Sequence, residues 1–229
     1  MDSGDLSALW LSLKVAGLCT VLLLGPAIAC GWLLARKQFP GKTIVEGLIH
    51  LPLVLPPVVT GYLLLIVLGS RGLLGKWLEK TTGLEVAFSI WAAILASMVM
   101  AFPLMVRSIR LAMELVDPGL EQASRTLGSS PARTFWRITL PLSAPGLLTG
   151  CVLAFARSLG EFGATITFAG NIKGETQTLP LAIFSSLQIP GGETRTLHLV
   201  VLAIMLSMGA LIISQFLAQR IHKRCMGID

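Results

Sequence analysis

The stretch Asp117–Pro141, DPGLEQASRTLGSSPARTFWRITLP, lies between two long apolar runs and reads as a small structure in its own right. Asp117-Pro118 supplies a helix N-cap followed by proline at the first helical position. Helix-compatible residues then run from Leu120 to Leu127, and Gly128 sits where a C′ glycine belongs. Ser130-Pro131 repeats the start for a second short helix through Ala132, Phe135, Trp136 and Ile138, which Leu140-Pro141 is expected to stop. Two short helices at an angle result. In the first, Leu120, Ala123 and Leu127 form an apolar stripe, and Glu121 and Arg125 are expected to make a solvated i,i+4 pair worth a few tenths of a kcal/mol.

The residues around this stretch are too apolar for a water-soluble domain. Of 229 residues, 54% are hydrophobic and 13% charged, about half the charged fraction of an average soluble domain. The mean hydropathy is +0.78. Five runs approach the roughly 20 apolar residues that cross a bilayer: about 9–35, 44–68, 86–106, 142–159 and 197–217. The chain therefore reads as all-α, one polytopic transmembrane domain over residues 1–229, with a polar two-helix loop at 107–141. The first run is too long for a signal peptide, and its leader carries Asp2 and Asp5 in place of basic residues. The net charge of +6 is distributed around the apolar runs, with eleven Lys and Arg in the connections on one side and six on the other. The side with eleven is read as cytoplasmic, which puts the N-terminus outside and the C-terminus inside.

Three features interrupt a simple bundle. Pro52, Pro56 and Pro57 in the second run must kink or break it, as a bend packed against neighbours or as a break lining a passage. At the end of the fourth run stands Arg157-Ser158-Leu159-Gly160-Glu161-Phe162-Gly163-Ala164-Thr165. Arg157 lies roughly 22 Å past Leu142, in the outer half of the hydrocarbon layer. Arg157 and Glu161, one turn apart, should face each other or a wet cavity, or else form an interfacial ion pair at a fraying helix end. Gly160 and Gly163 permit a hinge there. Pro56, Pro57, Arg157, Gly160, Glu161, Gly163 and Thr165 are thus the candidate pathway and gate residues. Gly146 and Gly150 form a GxxxG pair, suited to packing within the chain or to self-association. The segment Leu179–Leu187 is half long enough to span and is read as re-entrant or interfacial.

Catalytic chemistry finds no support. Gly41-Lys42-Thr43 and Gly75-Lys76 lack the leading glycine of a P-loop, so the chain is not expected to hydrolyse ATP, and it is expected to be no enzyme. Four scattered cysteines and three histidines give no metal-ligand spacing, and no catalytic residues, metal site or cofactor are expected. The loop lacks the long basic face of a DNA-reading helix. A membrane scaffold or receptor component would need only the five spans and leaves the capped loop unexplained.

Glu121-Gln122-Ala123, then Gly128, then Ile138, Leu140 and Pro141 resemble the EAA loop of bacterial binding-protein-dependent ABC importer permeases, with Gln122 in place of the first alanine. The runs Leu51–Tyr62 and Arg157–Asn171 are similar to those of the molybdate permeases of the ModB type, with sulfate and thiosulfate permeases as near relatives. The resemblance covers nearly the whole chain. It implies a permease subunit in the bacterial inner membrane that takes molybdate from a periplasmic binding protein. It further implies a homodimer of this chain on two copies of an ATP-binding subunit, which hold the ATP and magnesium. Glu121, Ala123, Gly128, Ile138, Leu140 and Pro141 are then the coupling residues. Tungstate, sulfate and thiosulfate are the alternative cargoes. The passage is expected to be a weak oxyanion environment opened by rocking of two halves.

Overall fold

The computed structural model describes residues 3–83 and 85–226, with the backbone alone at 3, 73, 82, 214, 215 and 217–226. Asp2 and the side chains of Arg220, Lys223, Arg224 and Cys225, which entered the readings above, lie outside the described residues. The described residues form helices and connections with no strand: α1 (Ser3–Arg36), α2 (Lys42–Val54), α3 (Pro57–Leu68), α4 (Leu73–Thr82), α5 (Ile90–Glu114), α6 (Pro118–Thr126), α7 (Pro131–Thr134), a π-helical turn (Phe135–Thr139), α8 (Leu140–Leu142), α9 (Ala144–Leu159), α10 (Gly163–Phe168), α11 (Leu179–Leu187) and α12 (Glu193–Met226).

Three stretches are long and apolar enough to cross a membrane unbroken, Gly4–Arg36, Ile90–Glu114 and Glu193–Ile213. Two more qualify only as bent pairs: α2 with α3, at 114°, and Pro131–Leu142 with α9, at 68°. The break expected from the prolines within 44–68 is therefore found, and the run is two helices. Leu55 and Pro56 are extended and Pro57 starts α3, so the missing N–H groups of Pro56 and Pro57 fall at a helix start, where they leave no helical bond unmade, while Pro52 lies inside the last turns of α2.

Helix α5 starts later and ends later than the expected 86–106. Phe88 takes φ 57° and donates its N–H to Phe168 O at 3.2 Å, and Ser89 stands extended at the N-cap. At the other end nothing breaks the helix before Asp117-Pro118, so residues counted as loop are helical. The basic residues at 107 and 110 mark polarity, and polarity alone does not end a helix.

Helices α1, α5 and α9 form the centre of the molecule. Small residues let them approach. A Cβ on Gly31 would meet Ile109 at 2.8 Å, one on Gly146 would run into the Ala112 side chain, and one on Gly150 would meet Met105 at 3.3 Å. The Gly146/Gly150 pair thus packs within the chain, on α5. Helices α3 and α10 cover one half of α5, around Ala164 and Phe168, while Leu34, Ile109 and Ala154 sit in the core of the other half. Ion pairs tie the two ends of the molecule. At one, Arg110 Nη1 holds Glu46 at 2.8 Å, joining α5 to α2; at the other, Arg195 Nη2 holds Asp5 at 2.8 Å, joining α12 to α1. Leu179–Leu187 is helical as expected, and Leu179 N–H donates to Ser12 Oγ at 2.7 Å, docking α11 on α1.

Candidate functional site

At the end of the molecule that carries α6, local chemistry builds the two short helices as their caps demand. Asp117 Oδ1 accepts from Gly119 N at 2.8 Å, Ser130 Oγ accepts from Arg133 N at 3.3 Å, and Pro118 and Pro131 open their helices. Gly128 has φ 85°, the left-handed conformation that favours glycine, and the closing bonds Gly128 N to Arg125 O and Ser129 N to Ser124 O end α6.

Two expectations at this end need correction. Glu121 does not pair with Arg125. Its Oε1 accepts from Arg36 Nε at 3.1 Å, from Arg36 Nη2 at 2.9 Å and from Thr139 Oγ1 at 2.6 Å, while Arg36 Nη2 also donates to Val116 O at 2.9 Å. The pair is 15% and 13% exposed, so it is stronger than a solvated surface pair. Glu121 turns inward because a guanidinium fixed at the end of α1 and a hydroxyl from the π turn converge on it. Arg36, one of the eleven basic residues counted on the side read as cytoplasmic, is therefore a missed member of the site, as is Thr139. No local signal links residues 85 apart.

Nor does Pro141 stop the second helix. Leu140 N–H reaches back five residues to Phe135 O, and beyond the proline Ser143 N–H donates to Thr139 O at 3.0 Å. The π turn re-registers the ladder so that proline falls at the start of a new helical turn, where no N–H is missed. The chain bends instead at Ser143. An edge-to-face contact of Trp32 with Phe135, 6.1 Å between centroids, holds the π turn against α1.

With Glu121 turned in, the stripe Leu120, Ala123 and Leu127 is left facing out, Leu127 at 87% exposure. Leu120 joins Leu115, Leu142 and Pro145 around a groove of about 600 Å³. Of the other residues expected to couple, Pro141 is exposed, and Ile138 and Leu140 are half-buried.

At the opposite end the structure brings the two candidate gate stretches together. A Cβ on Gly163 would meet Pro57 Cβ at 2.8 Å, and one on Gly61 would meet Ala164 O at 2.6 Å, so the start of α3 rests on α10. Arg157 Nη1 lies 2.7 Å from Glu161 Oε2, and Glu161 Oε1 accepts from Ala164 N at 2.9 Å. The pair foreseen between Arg157 and Glu161 is present, and Glu161 is buried with its carboxylate at the start of α10. An unpaired charge at the middle of a membrane costs at least ~2.5 kcal/mol, and pairing lowers a penalty of that kind. Pro56 and Gly160 are exposed, Pro57 is half-buried, and Gly163 and Thr165 are buried within the protomer. Nearby, Asn171, Gln177 and Ser185 bond one another at 2.7–3.3 Å and close the loop between α10 and α11. No group of three or more metal-ligating side chains occurs among the described residues.

Against known proteins, the profile of the family described as "Binding-protein-dependent transport system inner membrane component" matches residues 27–225. The "Molybdenum transport system permease protein ModB" of Haemophilus influenzae is 56% identical over 220 residues, 96% of each chain, and that of Escherichia coli K12 is 54% identical over 95% of each. The "Sulfate transport system permease protein CysW" of Synechocystis is 34% identical over 96% of this chain and 79% of its own. Among solved structures, the inward-facing MetNI methionine ABC transporter matches with a TM-score of 0.73 at 17% identity, covering 96% of this chain and 99% of that one, which shows a shared fold.

Proposed function

The chain belongs to the family of binding-protein-dependent transport system inner membrane components, and on that premise we propose that it is the permease subunit of an ABC importer for molybdate. It is a multi-pass protein of the inner membrane, and its part in the importer is the passage rather than the motor. In this reading two copies of the chain enclose the passage, a separate ATP-binding subunit docks under each α6, and a periplasmic binding protein delivers the oxyanion at the opposite end. The N-terminus then lies outside and the C-terminus in the cytoplasm. ATP and magnesium stay on the motor subunits, and this chain holds no cofactor.

The observation that carries the coupling role is the two-faced α6. Its inner face is pinned to α1 through Glu121 and Arg36, and its outer face offers Leu120, Ala123 and Leu127 to a partner. Such a helix can move as one body with α1 when a motor subunit pushes it, which is what rigid-body alternation of two halves requires. Gly128 turns the chain sharply behind α6, and Ile138, Leu140 and Pro141 lie on the return that bends by 68° into α9, which suits them to a role in presenting the coupling helix.

The test is uptake of labelled molybdate by cells stripped of their own high-affinity permease and expressing this chain with its ATP-binding subunit and binding protein. Uptake blocked by excess tungstate and indifferent to sulfate supports molybdate import. Sulfate carriage in its place would move the chain to the sulfate branch represented by the CysW relative, and absence of both would defeat the proposal.

A further inference from the structure

The geometry points to Arg157 as an oxyanion-binding residue of the passage, its guanidinium braced by Glu161 and its remaining N–H groups turned to the moving dianion. This inference rests on the molybdate-import reading above. Helix α9 is packed on two sides. Gly150 and Ala154 lie against α5, and Cys151 and Phe155 line an apolar groove of about 470 Å³ shared with α1 and α12. The side left over carries Thr149, Leu153, Arg157 and Gly160, a helical stripe at i, i+4, i+8 and i+11. Thr149, Leu153 and Gly160 on it are exposed, and the Arg157 side chain is 26% exposed while that of Glu161 is 1% exposed.

The two charges therefore have unequal settings. Glu161 is immobilised from both sides, by Arg157 at 2.7 Å and by the Ala164 N–H at 2.9 Å. Arg157 meets that carboxylate through Nη1, as an ion pair, and makes no hydrogen bond among the described residues. A guanidinium has five N–H donors in a planar fork, so the free edge matches two oxygens of a tetrahedral oxyanion. A charged side chain on an open face at membrane depth belongs against a wet passage rather than lipid. The brace also sets the strength of the site. A lone arginine would trap a dianion, whereas a guanidinium already neutralised by a buried carboxylate attracts it weakly enough to let it go, as conduction requires. Molybdate, tungstate and sulfate present the same tetrahedral edge, so Arg157 is assigned to passage, not to discrimination among them.

The experiment uses the full transporter, permease with ATP-binding subunit, in proteoliposomes supplied with loaded binding protein. It compares Arg157→Gln, Arg157→Lys and the double variant Arg157→Gln/Glu161→Gln. The double variant leaves no unpaired carboxylate and keeps an acceptor for Ala164 N–H. Labelled molybdate uptake and stimulated ATP hydrolysis are read side by side. Both neutral variants are expected to keep stimulated hydrolysis within about twofold while uptake falls about tenfold, the scale of one charge-assisted hydrogen bond lost. Arg157→Lys, which keeps the charge but not the fork, is expected to recover only part of the uptake, and tungstate uptake to fall in parallel with molybdate. Wild-type uptake in the double variant would show that the arginine only neutralises Glu161, and would overturn the assignment. So would failure of both neutral variants to assemble, or hydrolysis lost in step with uptake, since these mark a structural pair. If the unaltered transporter carries no molybdate, the import reading fails first, and that outcome is distinct from a defect confined to the variants.

Discussion

Replacing Arg36 by glutamine should loosen α6 while leaving the spans in place. The change removes two charge-assisted bonds to Glu121 Oε1, at 3.1 and 2.9 Å, and one to Val116 O at 2.9 Å, leaving Thr139 as the carboxylate's remaining donor. A fully buried pair broken on one side costs roughly 3–5 kcal/mol and a surface pair about 0–1. At 15% and 13% exposure this pair falls between, so a value of about 2 kcal/mol is expected. That corresponds to about a thirtyfold shift in the balance between docked and undocked α6. Hydrogen exchange of the amides of Pro118–Thr126 in the full-length permease in nanodiscs should quicken by about that factor, with exchange in α5 and α9 unchanged. A cycle with Glu121→Gln isolates the pair: each single change should loosen α6, and the double should loosen it little more than either alone. Full additivity of the two, or unchanged exchange over Pro118–Thr126 in Arg36→Gln, would refute the placement of Glu121 on α1.

Gly128→Val forces a β-branched residue into φ 85° and should cost more than ~1 kcal/mol at the turn, lowering co-purification of the ATP-binding subunit while the chain still inserts. Normal recovery of that subunit would count against a role for the turn in docking. Gly146→Leu should destabilise the permease because its side chain would overlap Ala112, and a melting temperature equal to wild type would contradict the α5–α9 packing. In a background free of the native cysteines, Pro56→Cys and Gly160→Cys should react with an aqueous thiol reagent and Thr165→Cys, 1% exposed, should not. Shielding of the first two with and without an ATP analogue would remove them from the passage.

Much of the coupling end was legible in the order of residues alone. Asp117-Pro118, Ser130-Pro131 and Gly128 act on backbone groups within a few residues of themselves, so their caps and left-handed turn follow wherever the segment is placed. The same holds for the proline break after Val54 and for the helix at Leu179–Leu187. At the opposite end the i,i+4 spacing of Arg157 and Glu161 was enough to foresee their pairing, because both lie within one turn.

What tertiary structure alone decided is where those local pieces point. Spacing offered Glu121 a neighbour in Arg125, yet packing of α1 against α5 delivered Arg36 from 85 residues away, and the half-buried partner won over the solvated one. The 114° angle between α2 and α3 depends on how closely Gly61 and Gly163 let α3 settle on α10, a contact no local pattern records. Pro141 reads as a stop in isolation and is tolerated because a π turn anchored on Trp32 shifts the hydrogen-bond register just before it. Composition, caps and breakers act over a few residues and determined the elements and their medium. Which charge meets which carboxylate, and which helical face stays open for a partner, depend on contacts distant in the chain, and only the packed molecule decides them.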